Sequence, residues 1–199
     1  MNSLNFLRIA CVALMGIGLC ACPPVTSKTP VGTTVKAVRD PALAGVWRGK
    51  VADGDAVSYF TFLPQNDETY SAVLVTPSSP KDNGGFGVFS VETVALGRLH
   101  FINARELVDD DKPAKGTMAD NTIPLLYKLE GDNTLVLYMM DEDAAHAAIK
   151  AGKIKGTVEE GQFGDVTLTA SPVELDAYMA SPAARALFTK PLVVLKKVK

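Results

Sequence analysis

The sequence predicts a mainly β domain: an antiparallel barrel, or a strongly curled sheet, of roughly eight or nine strands with two short helices. Short alternating runs rich in Val, Thr, Phe, Tyr and Leu recur between turn residues, at a spacing that suits hairpins. No strand–helix–strand rhythm appears, so a parallel sheet is not expected. The stretch 43–199 has the length of one domain and can bury a proper core. Closing the sheet would remove free edges that invite aggregation.

The chain opens MNSLNFLRIACVALMGIGLCAC. Arg8 is the only charge before Ile9, and from Ile9 to Leu19 every residue is apolar or small. A short positive start and an apolar run of this length read as a secretory signal. The run is shorter than the about 20 apolar residues that span a bilayer. It ends in Cys20 and Cys22, with Pro23 and Pro24 straight after. A C-x-C metal site would need further Cys or His ligands nearby. The third cysteine, Cys11, lies inside the apolar run, and His100 and His146 are far away in sequence.

Residues 19–22 resemble the lipobox of bacterial lipoproteins, which has Leu at −3, a small residue at −1 and Cys at +1. Leu19 stands at −3, Cys20 at −2, Ala21 at −1 and Cys22 at +1. Taking Cys20 as +1 would put bulky Leu19 at −1. The resemblance implies a cut between Ala21 and Cys22, a diacylglycerol on the Cys22 thiol and acylation of its new amino group. Two or more acyl chains make a stable anchor, at about 0.8 kcal/mol per buried CH₂. Pro23 stands where Asp would mark inner-membrane retention, so the resemblance favours an outer-membrane lipoprotein facing the periplasm. The mature chain then keeps one cysteine, itself lipidated, and has no disulfide or thiol chemistry.

Loss of Arg8 leaves 19 Lys and Arg against 22 Asp and Glu, a formal balance of −3. That mild acidity carries no nucleic-acid footprint. Residues 1–21 are thus the signal peptide, 22–42 a lipidated flexible tether rich in Pro, Thr and Val, and 43–199 the β domain. Strands are expected at 44–51, 57–63, 69–76, 86–96, 98–104, 123–129, 134–140, 165–169 and 192–198. Turns fall at Asp53-Gly54-Asp55, Pro64-Gln65-Asn66-Asp67, Gly97 and Glu130-Gly131-Asp132-Asn133. A helix is expected at 143–151, capped by Asp141 and stopped by Gly152. A second begins at Ser171-Pro172-Val173-Glu174, where Ser suits the cap, Pro the first position and Glu a capping box. A further turn follows at 182–187, and the polar stretch 109–121 reads as a loop.

The first strand begins Ala44-Gly45-Val46-Trp47. This G-x-W resembles the lipocalins and lipocalin-like barrels. The resemblance implies structural roles for Gly45 and Trp47, with the Trp closing one barrel end and an Arg from a late strand packing across its ring. This chain departs from that pattern: its last strand carries Lys196 and Lys197 and no obvious Arg. The expected activity is non-catalytic: binding of a small apolar ligand in the barrel. The alternative is a structural or protein-interaction module of the envelope with a filled core. Candidates to line a pocket are Phe60, Phe62, Tyr70, Phe101, Tyr127 and Tyr138.

No hydrolase elbow, zinc-protease motif or nucleotide-binding loop is present, so no catalytic residue, metal ligand or cofactor is assigned. His100 reads as a strand residue on the face opposite Leu99 and Phe101, and His146 as part of a solvated helix face. Asp109-Asp110-Asp111 lacks the spaced ligands and central Gly of a calcium loop. Asn83-Gly84-Gly85-Phe86-Gly87 precedes a strand, not a helix, so it cannot offer helix N–H groups to a phosphate and reads as a mobile loop at a hairpin or barrel mouth. The basic end, Lys190 to Lys199, reads as a strand kept soluble by lysine, or as a contact for anionic headgroups.

Overall fold

The alternating runs close on themselves. The computed structural model describes residues 24–51, 57–78, 84–131, 133–159 and 165–199. Ala21, Cys22, the turn at 53–55, Asn83 and Asp132 lie outside these residues. In chain order come β1 (Thr26–Ser27), a 3-10 turn (Pro41–Leu43), β2 (Gly45–Val51), β3 (Val57–Pro64), β4 (Thr69–Thr76), β5 (Gly85–Leu96) and β6 (Leu99–Asp109). Next are β7 (Lys112–Pro113), α1 (Thr117–Asp120), β8 (Ile123–Glu130), β9 (Thr134–Met139) and α2 (Glu142–Lys150). Last come β10 (Gly156–Val158), β11 (Val166–Leu168), α3 (Pro172–Ala180), a second 3-10 stretch (Pro182–Leu187) and β12 (Pro191–Lys197).

Strands β2, β3, β4, β5, β6, β8, β9 and β12 form an antiparallel barrel in which each strand pairs with the next one along the chain. The last, β12, returns to β2 and closes it, from Val193 opposite Val51 to Lys197 opposite Trp47. Short β7 extends the ladder beyond β8 along the end of β6. Alternation sends Trp47, Phe62, Tyr70, Val91, Ile102, Tyr127, Leu135, Leu137, Val193 and Leu195 into one buried cluster, the barrel interior. The opposite faces of β5, β6 and β8 bury Val94, Leu96, Phe101 and Leu126 in a second cluster outside the wall. α2, α3, the second 3-10 stretch and the sheet β1-β11-β10 cover it.

Both helices form where their caps predict. The Asp141 carboxylate accepts from the Ala144 amide at 2.9 Å, opening α2. Glu174 accepts from the Ser171 amide at 3.0 Å and its hydroxyl at 2.7 Å, opening α3.

Several expectations are corrected. The segment read as a free tether belongs to the fold from Val25 onward. Val25 and Val31 are buried, β1 pairs in parallel with β11, and Thr122 bridges Ser27. Polar latches hold this strap. Asn103 grips both the amide and the carbonyl of Val31, each at 2.8 Å. Buried Asp176 of α3 accepts from the Gly32 amide at 2.6 Å and from the Thr34 amide at 2.8 Å. A side chain at Gly32 would collide with Val94, and its φ of 84° also favours glycine. The strand expected at 165–169 joins this outer sheet, not the barrel, and β10 beside it was not foreseen. The strand expected at 98–104 runs on to Asp109. The loop at 109–121 contains β7 and α1.

Candidate functional site

The two barrel ends differ. Hairpin turns β3–β4, β5–β6 and β8–β9 mark one end, which the 3-10 turn Pro41–Leu43 plugs. Three aromatic side chains from inside the barrel reach the plug. Trp47 Nε1 donates to the Leu43 carbonyl at 2.7 Å. The Tyr70 hydroxyl donates to the Asp40 carbonyl at 2.6 Å, and the Tyr127 hydroxyl to the Asp40 carboxylate at 2.9 Å. Burial, helped by that carboxylate, drives the Tyr127 hydroxyl well above the ordinary tyrosine range. Trp47 and Leu43 are fully buried. Lys197 Nζ lies 5.1 Å from the centre of the Trp47 ring and donates to the Ala42 carbonyl at 3.0 Å. A cation from the last strand thus packs on the Trp47 ring. Gly45 opens β2 with φ 116°, a conformation that favours glycine.

Beside the plug lies a cleft of about 340 Å³, lined among others by Asp40, Arg98, His100, Tyr127, Lys128 and Glu130. His100 meets Tyr127 edge-on, ring centres 5.5 Å apart. The rim mixes both charge signs, and Tyr127 already spends its proton on Asp40.

Toward the far end, the barrel mouth, burial of the interior is uneven. Inward-facing Phe60, Ala72, Phe89 and Leu125 pack on the interior cluster yet are only half-buried. Nearer that end on β3 and β4, inward Ser58, Leu74 and Thr76 are buried, and the Ser58 and Thr76 hydroxyls pair at 2.9 Å. Met118 of α1 packs on the same cluster. Glu106 stands opposite Phe89 in the β5–β6 ladder and shares its inward face. Burial lifts its carboxyl above the ordinary range, and Asp109 adds repulsion. The result is a barrel plugged at one end, with half-buried apolar side chains and one carboxyl on its inner wall.

Of the pocket candidates, Phe62, Tyr70 and Tyr127 are buried inside the barrel, and Phe60 packs half-buried on the same cluster. Phe101 and Tyr138 face out of the barrel. Phe101 packs edge-on against Phe188 at 5.9 Å, and Tyr138 carries Lys128 Nζ 4.8 Å above its ring. Strand alternation alone left their side open, because both faces of β6 and β9 are apolar. The reading missed Ala72, Leu125 and Glu106 as inward-facing residues. Their sequence signal is only the even spacing from Tyr70, Tyr127 and Ile102. Asp110, from the acidic run, serves the β6–β7 turn at φ 51° and accepts from the Phe86 amide at 2.9 Å. Among the described residues no group of three or more His, Cys, Asp or Glu could hold a metal ion.

No family model, curated protein or solved structure matches this chain.

Proposed function

We propose that this protein is a lipoprotein of the bacterial envelope, anchored through acylated Cys22, that holds a small apolar ligand in its barrel without catalysis. Phe60, Ala72, Phe89 and Leu125 carry the reading: they face inward, are apolar, and stay half-exposed in a barrel whose other end is plugged. Apolar side chains left incompletely buried inside a barrel suit an apolar ligand. The lipobox at 19–22 and the G-x-W at 45–47 support the anchor and the barrel type by resemblance.

Native mass spectrometry on the mature chain, made behind a cleavable periplasmic signal, tests this. A lipid or other apolar species bound at defined stoichiometry is the expected result; a bare, monodisperse protein defeats the reading. Ala72→Trp should fill the mouth and weaken binding of a fluorescent fatty acid by about tenfold, equivalent to about 1.4 kcal/mol.

A second reading, docking of an envelope protein, draws on the outer wall. Val46, Thr61, Val73 and Val88 stand side by side across β2 to β5, with Val46 exposed. Under that reading a pull-down from intact envelopes should recover a partner that Val73→Lys abolishes.

A further inference from the structure

We infer that the mature protein stands mouth-down on the bilayer, with the far end of the barrel against the lipid headgroups and the plug end pointing away. The inference rests on the lipoprotein reading, because it starts from an anchor at Cys22.

The length and exit point of the leash carry it. Val25 is buried, and Thr26 is already paired with Thr167. Only Pro23 and Pro24 separate Cys22 from that fixed point. Three residue steps reach at most about 11 Å. β6 has 11 residues, about 36 Å at about 3.3 Å each, or about 28 Å of barrel height at the usual tilt near 40°. A leash so short cannot bring the membrane to the plug end.

The chain also leaves the fold at the mouth end. Ser27 bridges Thr122, and Asn121 Nδ2 donates to Thr26 Oγ1, both residues lying between α1 and the start of β8. From there the strap climbs past Asn103 to Val94, toward the plug. On the adjacent strands at this end, Val75, Phe86 and Leu107 are exposed outer-wall apolars, each 39–42% accessible. They can sit at headgroup depth. The carboxylates of Asp109, Asp110, Asp111 and Asp120 outnumber Lys112 and Lys115 here, which favours zwitterionic over anionic lipid. Of the C-terminal lysines, Lys190 precedes β12 at the mouth end, but Lys196 and Lys197 lie at the other end, where Lys197 is engaged with Trp47 and Ala42. These two therefore do not reach the headgroups. In this orientation the apolar mouth opens onto the bilayer, so an apolar ligand need not cross water.

The test uses the acylated protein purified from envelopes and reconstituted in phosphatidylethanolamine vesicles. Its single cysteine is consumed by lipid, so an introduced cysteine is a unique label site. Lys115→Cys marks the mouth end and Arg98→Cys the plug end; both residues are exposed. The mass of the N-terminal peptide comes first, and an unacylated Cys22 sinks the lipoprotein reading itself. With acylation in hand, a headgroup-borne nitroxide should quench a fluorophore at position 115 several-fold more than one at position 98. A Gly/Ser spacer of about ten residues between Pro23 and Pro24 should abolish that difference. Equal quenching at both sites without the spacer, or stronger quenching at position 98, overturns the orientation while leaving the anchor intact.

Discussion

At the residue scale, a few polar groups hold apolar neighbours in place. Asp176 is buried, and its two oxygens take the Gly32 and Thr34 amides and the Thr34 hydroxyl. Asp176→Ala orphans a buried amide and should cost about 2–3 kcal/mol. Urea unfolding would show it as a lower midpoint at unchanged slope. Lys197→Ala removes the cation above Trp47 and should cost about 0.5–2 kcal/mol by the same measurement. Tyr127 makes a pH prediction. Its hydroxyl is raised above the ordinary value of 10.0, by burial first and by the Asp40 carboxylate second. A raised pKa contributes stability that is complete below the unfolded value and is lost as pH climbs beyond it. Phenolate absorbance should therefore show a tyrosine that resists ionisation above pH 10 until unfolding sets in, and Tyr127→Phe should remove that lag.

At the element scale, the seam between β2 and β12 depends on one missing side chain. A Cβ at Gly49 would collide with the Val194 carbonyl oxygen and crowd Leu195. Gly49→Ala must push the two strands apart where the barrel closes, and should cost about 1–3 kcal/mol. A control at Gly97, where a side chain meets nothing within 4 Å but φ is 64°, separates clash from backbone strain. The start of α3 has its own pH dependence. Lys155 and both donors of Ser171 hold the Glu174 carboxyl at about 2, well below its ordinary 4.5. A lowered pKa contributes stability above the ordinary value that is lost as pH falls from 4.5 toward 2. The group is exposed, so the effect is small; Glu174→Gln should flatten the acid limb of the unfolding curve in that window.

At the scale of the whole molecule, the strap turns an apparent leader into part of the core. Val25 and Val31 join Val94, Leu96, Leu168 and Met179 in the outer cluster. A chain that begins at Val38 keeps every barrel strand but uncovers this cluster. It should melt well below a chain that begins at Pro23, and bind a hydrophobic dye that the longer chain excludes. Equal melting temperatures would mean that the strap adds nothing to stability and is a tether after all.

The barrel was legible because its information is local. Alternation with period two, turn residues between runs and capping residues before α2 and α3 are set by neighbours a few positions apart. Trp47 was legible as a structural residue through its G-x-W context. Three matters were not legible, and all turn on contacts between distant residues. PPVTSKTPVGTT has the composition of a linker; what buries it is Asn103, 72 residues from Val31, and Asp176, 144 from Gly32. Phe101 and Tyr138 sit on strands whose two faces are both apolar, and only the covering helices select which face looks outward. Even the plug depends on the 3-10 turn at Pro41–Leu43 meeting Trp47, Tyr70 and Tyr127 at one end of the barrel. By itself the sequence determined most of the strands and the helix caps, since each depends on residues close along the chain. Only the tertiary structure decided which surfaces are inside, which end is plugged and that the strap is buried, because burial is a property of the assembled sheet and of no single segment.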